Sequence, residues 1–443
     1  MIKVITYGTY DLLHYGHIKL LERAKALGDY LIVGVTADDF DKKRGKINVS
    51  QSLMERIEAV RATGIADEII VEEYEGQKID DIRKYGVDIF TVGSDWEGKF
   101  DYLNEYCKVV YLPRTEGVSS SEIRTAQAGV RLGLVGDSLF LNKVYNETGF
   151  VNGLKVYALC TNNSELSGGE LRNTRLITRS YDELLENVDA VYLRSLPSEH
   201  YEQIKKALNC GRHVLCEAPM TVDEAQCDEL FALAREKNLI LMEAIKTAYS
   251  TAFARLLLLI KGGSIGSVIS VDATCTSLKQ YAGTVRTDWN GIYEWGPTAL
   301  LPVLEILGTS YKNINMVAHF EDDEHLHDSF VKMDFLYDHA VASIKVGDGV
   351  KSEGELIISG TKGYIYVPAP WWKTDYFEVR YENPDDNRRH FYQLDGEGIR
   401  YELVAFVRAI ERGSQISNID EAVTFKMAEI MKEFENRKNV TVI

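Results

Sequence analysis

Nowhere in this 443-residue chain do two cysteines stand at CxxC spacing. The six cysteines (Cys107, Cys160, Cys210, Cys216, Cys227 and Cys275) are scattered, and His213 with Cys216 is the only close His–Cys pair. That pattern argues against a disulfide framework and a zinc knuckle, and it predicts reduced cytosolic thiols. Positive charge is also short: 50 Lys and Arg against 67 Asp and Glu give a formal net charge of −17. So acidic a chain is a poor candidate for sequence-independent binding to DNA or RNA, which needs a basic stripe. A local basic pocket for a single nucleotide stays compatible with it. The first residues, MIKVITYGTY, have no apolar signal-peptide core. The longest strongly apolar run, LLLLI at 256–260, is far too short to cross a bilayer. The expectation is a cytoplasmic protein with no membrane or nucleic-acid partner.

What the chain does have is apolar content, 45% of its residues, and length for two or three domains at about 150 residues each. Two stretches read as the opening of α/β domains: IKVITYGTYD at 2–11 and VRLGLVGDS at 130–138. Each is a continuous apolar strand running into a glycine-containing turn and then a helix-length segment. Between them strands and helices alternate, which predicts a doubly wound sheet. RTAQAG at 124–129 reads as a linker. GLKVYALC, DAVYLRS, HVLCEAP and LILMEA continue the same logic as strands of a second sheet, with helices near 181–187, 199–210 and 222–237. After about residue 250 the strands belong to a largely antiparallel sheet, with helices at 251–262, 296–307, 400–411 and 420–437. The fold class is therefore α/β. A parallel-sheet domain over 1–125 precedes a Rossmann-like domain over 129–247 and an α+β open antiparallel-sheet domain over 248–443.

The chemistry-bearing letters cluster after the first strand, in GTYDLLHYGH. His14 and His17, three apart, face one side of a helix's first turn. Gly16 between them allows close approach of a phosphate, and a helix N-terminus offers free N–H groups and partial positive charge to anions. Thr9 and Tyr10 lie on the turn at the carboxyl edge, where α/β sheets bind ligands. Taken alone, an HxxH pair is a common accident. A zinc site would need further ligands that no nearby His or Cys supplies, so no metal site is expected. PRTEGVSSSEIRT, 113–125, brings Arg114 and a run of hydroxyls to another helix start near Ser119. Guanidinium and hydroxyl groups are natural phosphate clamps, although Ser119 and Glu122 also fit a capping box. KKRGK at 42–46 is a third basic element, for which a solvated charge run is the bland alternative.

Together these three pieces resemble the glycerol-3-phosphate cytidylyltransferases of the HxGH nucleotidyltransferase superfamily. ITYGTYDLLHYGHIKLLERAK, GSDWEGKFDYL and VVYLPRTEGVSSSEIR carry the resemblance over residues 1–125. It implies that CTP is held by Thr9, Tyr10, Thr115, Ser119, Ser120 and Ser121, with His14, His17, Lys46 and Arg114 in the catalytic roles. It implies an acceptor phosphate near Arg44 and Lys78, Mg2+ arriving with CTP, and a CDP-polyol and pyrophosphate as products. Two departures stand out. The family tends to have lysine where Arg44 stands, and arginine where Gly64 aligns; Arg61, one turn earlier, is a candidate substitute.

Residues 129–443 resemble, more distantly, the Gfo/Idh/MocA oxidoreductases. HVLCEAPMTVDEAQCDELFALAREKNLILMEA, EGELIISGTKGYIYVPAPWW and GIRYELVAFVRAIERG carry this second resemblance. The dinucleotide fingerprint is worn: Gly136 remains, but Ser138 and Leu141 occupy the other glycine positions, and Asp137 places negative charge beside the expected pyrophosphate. LCTNNSE lacks the acidic ribose ligand. The family's Glu-Lys-Pro reads Glu217-Ala218-Pro219, and Thr298 and Leu301 stand at its later histidine and acid positions. Lys246 is a candidate replacement proton donor, or an ordinary surface charge. NAD(P) binding is expected to be weak or absent. The chain is thus expected to be a cytidylyltransferase acting on CTP and a small polyol phosphate, carrying a degenerate oxidoreductase-like region, as a homodimer. The alternatives are a bifunctional enzyme whose second half reduces a keto precursor to that polyol phosphate, and a non-catalytic scaffold.

Overall fold

The computed structural model describes all residues except 12, 14, 38–50, 52, 75, 114–128, 279–290, 323–325, 393 and 415–416, and the side chains of 95 and 395. The chain divides into two units, Met1–Gly129 and Val130–Ile443.

In the first unit the apolar run Lys3–Gly8 becomes strand β1, followed by helix α1 (Tyr15–Lys25), β2 (Tyr30–Thr36), α2 (Leu53–Ala62), β3 (Glu68–Glu72), α3 (Gln77–Tyr85), β4 (Ile89–Gly93) and β5 (Lys108–Leu112). The strands pair in parallel in the order β3-β2-β1-β4-β5. Successive residues of β1 point to opposite faces, and both faces are covered. Val4 packs with Leu21, Val33 and Val60 on one side; Ile5 packs with Phe90, Ile82 and Leu103 on the other. A strand buried on both faces must read as a continuous apolar run, which is why it stands out in the sequence. The chain order reverses between β1 and β4, and ligands of such sheets settle at this reversal, beyond the strands' carboxyl ends. GTYDLLHYGH leaves β1 there, and GSDWEGKFDYL leaves β4 beside it.

The second unit opens with β6 (Val130–Val135), α4 (Phe140–Thr148), β7 (Leu154–Cys160), α5 (Ser164–Gly168), β8 (Leu176–Thr178), α6 (Tyr181–Asn187), β9 (Ala190–Leu193), α7 (Pro197–Asn209), β10 (His213–Glu217), α8 (Glu224–Glu236) and β11 (Leu241–Ala244). These strands form a six-stranded parallel sheet in the order β11-β10-β9-β6-β7-β8, reversing between β6 and β9. Asp223 caps α8 by accepting from the backbone N–H groups of Ala225 (2.8 Å) and Gln226 (3.4 Å), which fixes where the helix starts.

Helix α9 (Thr251–Lys261) leads into β12 (Val268–Thr276), α10 (Gly291–Leu307) and β13 to β19 (Asn313–Phe320, Asp328–Leu336, Val341–Gly347, Leu356–Gly360, Tyr364–Val367, Tyr376–Arg380 and Arg388–Phe391). Helices α11 (Ile399–Arg412) and α12 (Glu421–Glu435) and strand β20 (Val440–Val442) end the chain. The nine strands run in the order β19-β18-β17-β16-β12-β15-β14-β13-β20. Most pairs are antiparallel, but β12–β15 and β13–β20 are parallel. The sheet is therefore mixed, though mostly antiparallel as expected.

Candidate functional site

At the carboxyl edge of the first sheet, backbone groups are gathered by one buried side chain. Arg56, on α2, has no solvent exposure. Its Nη1 donates to the carbonyls of Thr9 (2.7 Å) and Thr36 (2.8 Å), and its Nε donates to that of Gln51 (3.2 Å). One guanidinium thus ties the ends of β1 and β2 to the segment entering α2. Asp11, also buried, accepts from the Gln51 N–H at 3.0 Å and closes the same loop from the other side. The turn after β1 is held in place before any ligand arrives.

A second network lies across β1, β3 and α3. The Tyr7 hydroxyl donates to Asp81 at 2.9 Å, and Gln77 Nε2 donates to Asp81 at 3.1 Å. Burial and the neighbouring Asp81 carboxylate push the Tyr7 phenol well above its ordinary value. Thr36 donates to Glu72 at 2.9 Å, and Glu72 pairs with Lys78, whose ammonium lies 4.6 Å above the Tyr7 ring.

The family model for cytidylyltransferase-like proteins matches residues 5–126. A glycerol-3-phosphate cytidylyltransferase of Bacillus spizizenii is 51% identical over 130 residues, which are 29% of this chain and all of that relative. Another, from Staphylococcus aureus, is 50% identical over 127 residues, 28% of this chain and 93% of its own length. The chain belongs to the cytidylyltransferase family. Its first unit is the cytidylyltransferase domain.

Within that cytidylyltransferase domain, Thr9 and His17 stand at the expected turn and first helical turn. His17 meets the Tyr10 ring edge-on, with centroids 5.6 Å apart. Tyr10 departs from expectation. Its ring is 1% exposed, packed in the core with Leu21 and Val33, and its φ is +55°. A side chain so enclosed cannot grip CTP; it braces the turn instead. Lys78 is buried and held by Glu72, so the charge expected to meet an acceptor phosphate is already engaged. Arg61 does not replace the family's arginine at the site: it is exposed and pairs with Glu58. Gly64 has φ +65° and ends α2, with its N–H donating to the Arg61 carbonyl at 3.1 Å. That left-handed stop favours glycine over arginine. His14, Arg44, Lys46, Arg114, Thr115, Ser119, Ser120 and Ser121 lie outside the described residues. Sequence reasoning missed Arg56, Asp11 and Glu72. Arg56 had a signal, because it shares the buried stripe of Leu53, Ile57 and Val60 at helical spacing.

In the second unit a crevice of about 490 Å³ lies at the β6/β9 reversal, walled by Gly136, Asp137, Thr161, Asn162, Arg179 and Ser195. Gly136 has φ +130°, and a Cβ there would sit 2.2 Å from the Arg194 carbonyl, so glycine is required. Asp137 turns sideways: its carboxylate accepts from the Asn162 N–H (2.6 Å) and the Thr161 hydroxyl (2.8 Å). Burial opposes its charge, but these hydrogen bonds outweigh burial and hold the carboxyl below its ordinary value. Asp137 therefore locks β6 to β7 and stays negative.

Beside the crevice a cavity of about 220 Å³ is lined by Glu217, Ala218, Lys246, Glu294 and Thr298, among others. Glu217 accepts from the buried Tyr192 hydroxyl, which also lies 3.4 Å from Glu402. Burial raises both carboxyls, that of Glu402 further because Glu217 repels it. Lys246 pairs with Glu397 at 3.3 Å. The oxidoreductase family model with an NAD-binding Rossmann fold matches residues 131–245. A 3-ketoreductase from Actinomadura kijaniata, solved with NADP and TDP-benzene, superposes with a TM-score of 0.64 at 19% identity, covering 71% of this chain and 99% of that one. The second unit thus has the Gfo/Idh/MocA fold. Among the described residues no helix is long and apolar enough to cross a membrane.

Proposed function

We propose that the first unit transfers the cytidylyl group of CTP to glycerol 3-phosphate or a close polyol phosphate. The observation that carries this reading is the 51% identity running the whole length of the Bacillus relative, itself a glycerol-3-phosphate cytidylyltransferase. An acceptor phosphate oxygen attacks the α-phosphorus of CTP in line, forming the new P–O bond as the bond to the β-phosphate breaks and pyrophosphate leaves; Mg2+ brought in with CTP would offset the charge of the leaving group. No side-chain nucleophile is needed; the protein positions the reactants and neutralises charge. His14, His17, Lys46 and Arg114 take the developing charge, and Thr9, Thr115 and Ser119–Ser121 hold the triphosphate. Arg56 and Asp11 keep the β1 turn in place for it. Pyrophosphate release should appear with CTP and glycerol 3-phosphate. Silence with a full panel of polyol phosphates, together with no CTP-induced thermal shift, would sink the proposal.

For the second unit we propose ligand binding without ordinary hydride transfer, because Ala218 and Thr298 stand in the cavity where the resembled family has lysine and histidine, and Lys246, the candidate replacement donor, is engaged by Glu397. A bifunctional reading is favoured by one observation: the roomy crevice keeps its Gly136 turn and carries Arg179, which suits a nucleotide phosphate. Titrating the chain with NADH and NADPH by nicotinamide fluorescence separates the two. Weak, non-saturating binding is expected. Tight, saturable binding would move the second unit to the reductase reading.

A further inference from the structure

Three lysines from three separate segments of the second unit converge on a single carboxylate. Lys143 comes from α4, Lys246 follows β11, and Lys373 follows the Trp371–Trp372 pair after β17. Their ammonium nitrogens lie 3.0, 3.3 and 2.9 Å from the carboxylate oxygens of Glu397. Like charges brought this close repel one another, so the fold must hold them there.

The backbone around Glu397 shows how. Its φ is +54°, between Gly396 at +57° and Gly398 at +94°. A residue with a Cβ adopts that conformation only where its surroundings enforce it. Here they do. A Cβ on Gly396 would collide with the Glu147 carboxylate, which pairs with Arg400 at 3.0 Å. A Cβ on Gly398 would lie 3.1 Å from the Lys246 carbonyl. Glu397 is therefore a fixed post to which the lysines are tied. The ion pairs outweigh its burial and lower its carboxyl to about 2, so it stays charged at any working pH.

The same three lysines line the 220 Å³ cavity, together with Arg194, Trp295 and Trp372. Arg194 is answered by Glu294 at 3.2 Å. Counted over the lining itself, four cations (Lys143, Arg194, Lys246 and Lys373) face three carboxylates (Glu217, Glu294 and Glu397), which leaves an excess of one positive charge. The two indoles, with centroids 5.0 Å apart, add an apolar wall to this polar end. An excess of ammonium groups fits a phosphate dianion, and an apolar wall fits a carbon skeleton attached to it.

We propose that this cavity binds the phosphate monoester of a small polyol or sugar, with Lys143, Lys246 and Lys373 on the phosphate and Glu397 fixing the lysines. The inference stands on the second unit alone and survives failure of the cytidylyl-transfer reading.

Calorimetric titration of the full chain, its first-unit site saturated by CDP-glycerol so that only second-unit binding is read, with glycerol 3-phosphate, ribulose 5-phosphate, inorganic phosphate and glycerol tests it. The double substitution Lys246→Met/Lys373→Met is expected to weaken a phosphate-ester site at least ten-fold, with thermal unfolding unchanged. Lys373→Arg should retain it, because the charge is kept. Lys143→Met, at a more exposed position, provides the same test should the double variant fold poorly. Ester binding unaffected by these substitutions would overturn the proposal. So would glycerol binding as tightly as glycerol 3-phosphate, or inorganic phosphate binding where neither ester does.

Discussion

His14→Ala is expected to remove cytidylyl transfer while leaving the unfolding of the chain where it was. The argument starts from charge. As the acceptor attacks, negative charge builds on the oxygens around the α-phosphorus and on the departing pyrophosphate. A donor aimed at that charge is worth more in the transition state than in the ground state, and losing one such donor costs on the order of 10²–10³ in rate. His14 precedes the first residue of α1, and the N-terminal end of a helix favours an anion through its dipole. Structural damage is not expected, since Arg56 and Asp11 hold the turn. Pyrophosphate release at saturating CTP reads the effect, and a variant with the normal rate would refute the role. His17→Ala is a less clean experiment, because that imidazole also packs on the Tyr10 ring.

How far the sequence foretold this depends on what each residue does. Strands buried on both faces, such as β1, β2 and β9, stood out as apolar runs. The short strands β8, β18, β19 and β20 did not: β8, β19 and β20 are edge strands, β18 lies just inside β19, and letters such as RRHF carry little pattern. Helix α10 begins at Gly291, five residues before its expected start. Pro297 reads as a first-turn residue, yet it lies inside the helix, where burial of Ile292, Tyr293, Leu300 and Leu301 overrides local preference. The site divides in the same way. Phosphate-binding letters announce themselves only in combination: HYGH alone is a common accident, but with KKRGK and PRTEGVSSS in the same order it points to a phosphate site. Residues that work through another residue do not: Glu397 reads as one more surface acid until the fold brings three lysines to it. Tyr10 misled in the opposite direction, as a polar aromatic on a ligand-facing turn whose backbone turns the ring inward.

The contrast between the two units has a physical basis. Recognition of a triphosphate, as proposed for the first unit, can draw on backbone and helix ends, which substitution does not easily erase. Hydride transfer instead needs a proton-transfer group at one point in space. In the second unit that point holds Ala218, while charge has gathered a short distance away on Lys143, Lys246 and Lys373. A crevice kept while the polar letters change is the form that the proposed binding role, without hydride transfer, would take.

Arg56→Met is expected to produce the largest loss of stability, confined to the first unit. The side chain is fully buried, and the carbonyls of Thr9, Thr36 and Gln51 accept from its guanidinium. Methionine fills part of the volume but donates nothing. Each buried acceptor left without a donor costs about 1–3 kcal/mol, so a loss of roughly 3–5 kcal/mol is expected, allowing for partial relaxation. Arg56→Lys should fall between the two, since one ammonium cannot span three carbonyls in fork geometry. The units must be followed separately, because a two-unit chain does not unfold as one transition. Trp96 is the single tryptophan in residues 1–129, so replacing the other four with phenylalanine makes its fluorescence a reporter of that unit. The urea midpoint should drop for the Trp96 signal, and the Kd for CTP should rise in parallel as the β1 turn loosens. An unchanged midpoint would mean that water satisfies the three carbonyls, and that the turn is held by Asp11 alone.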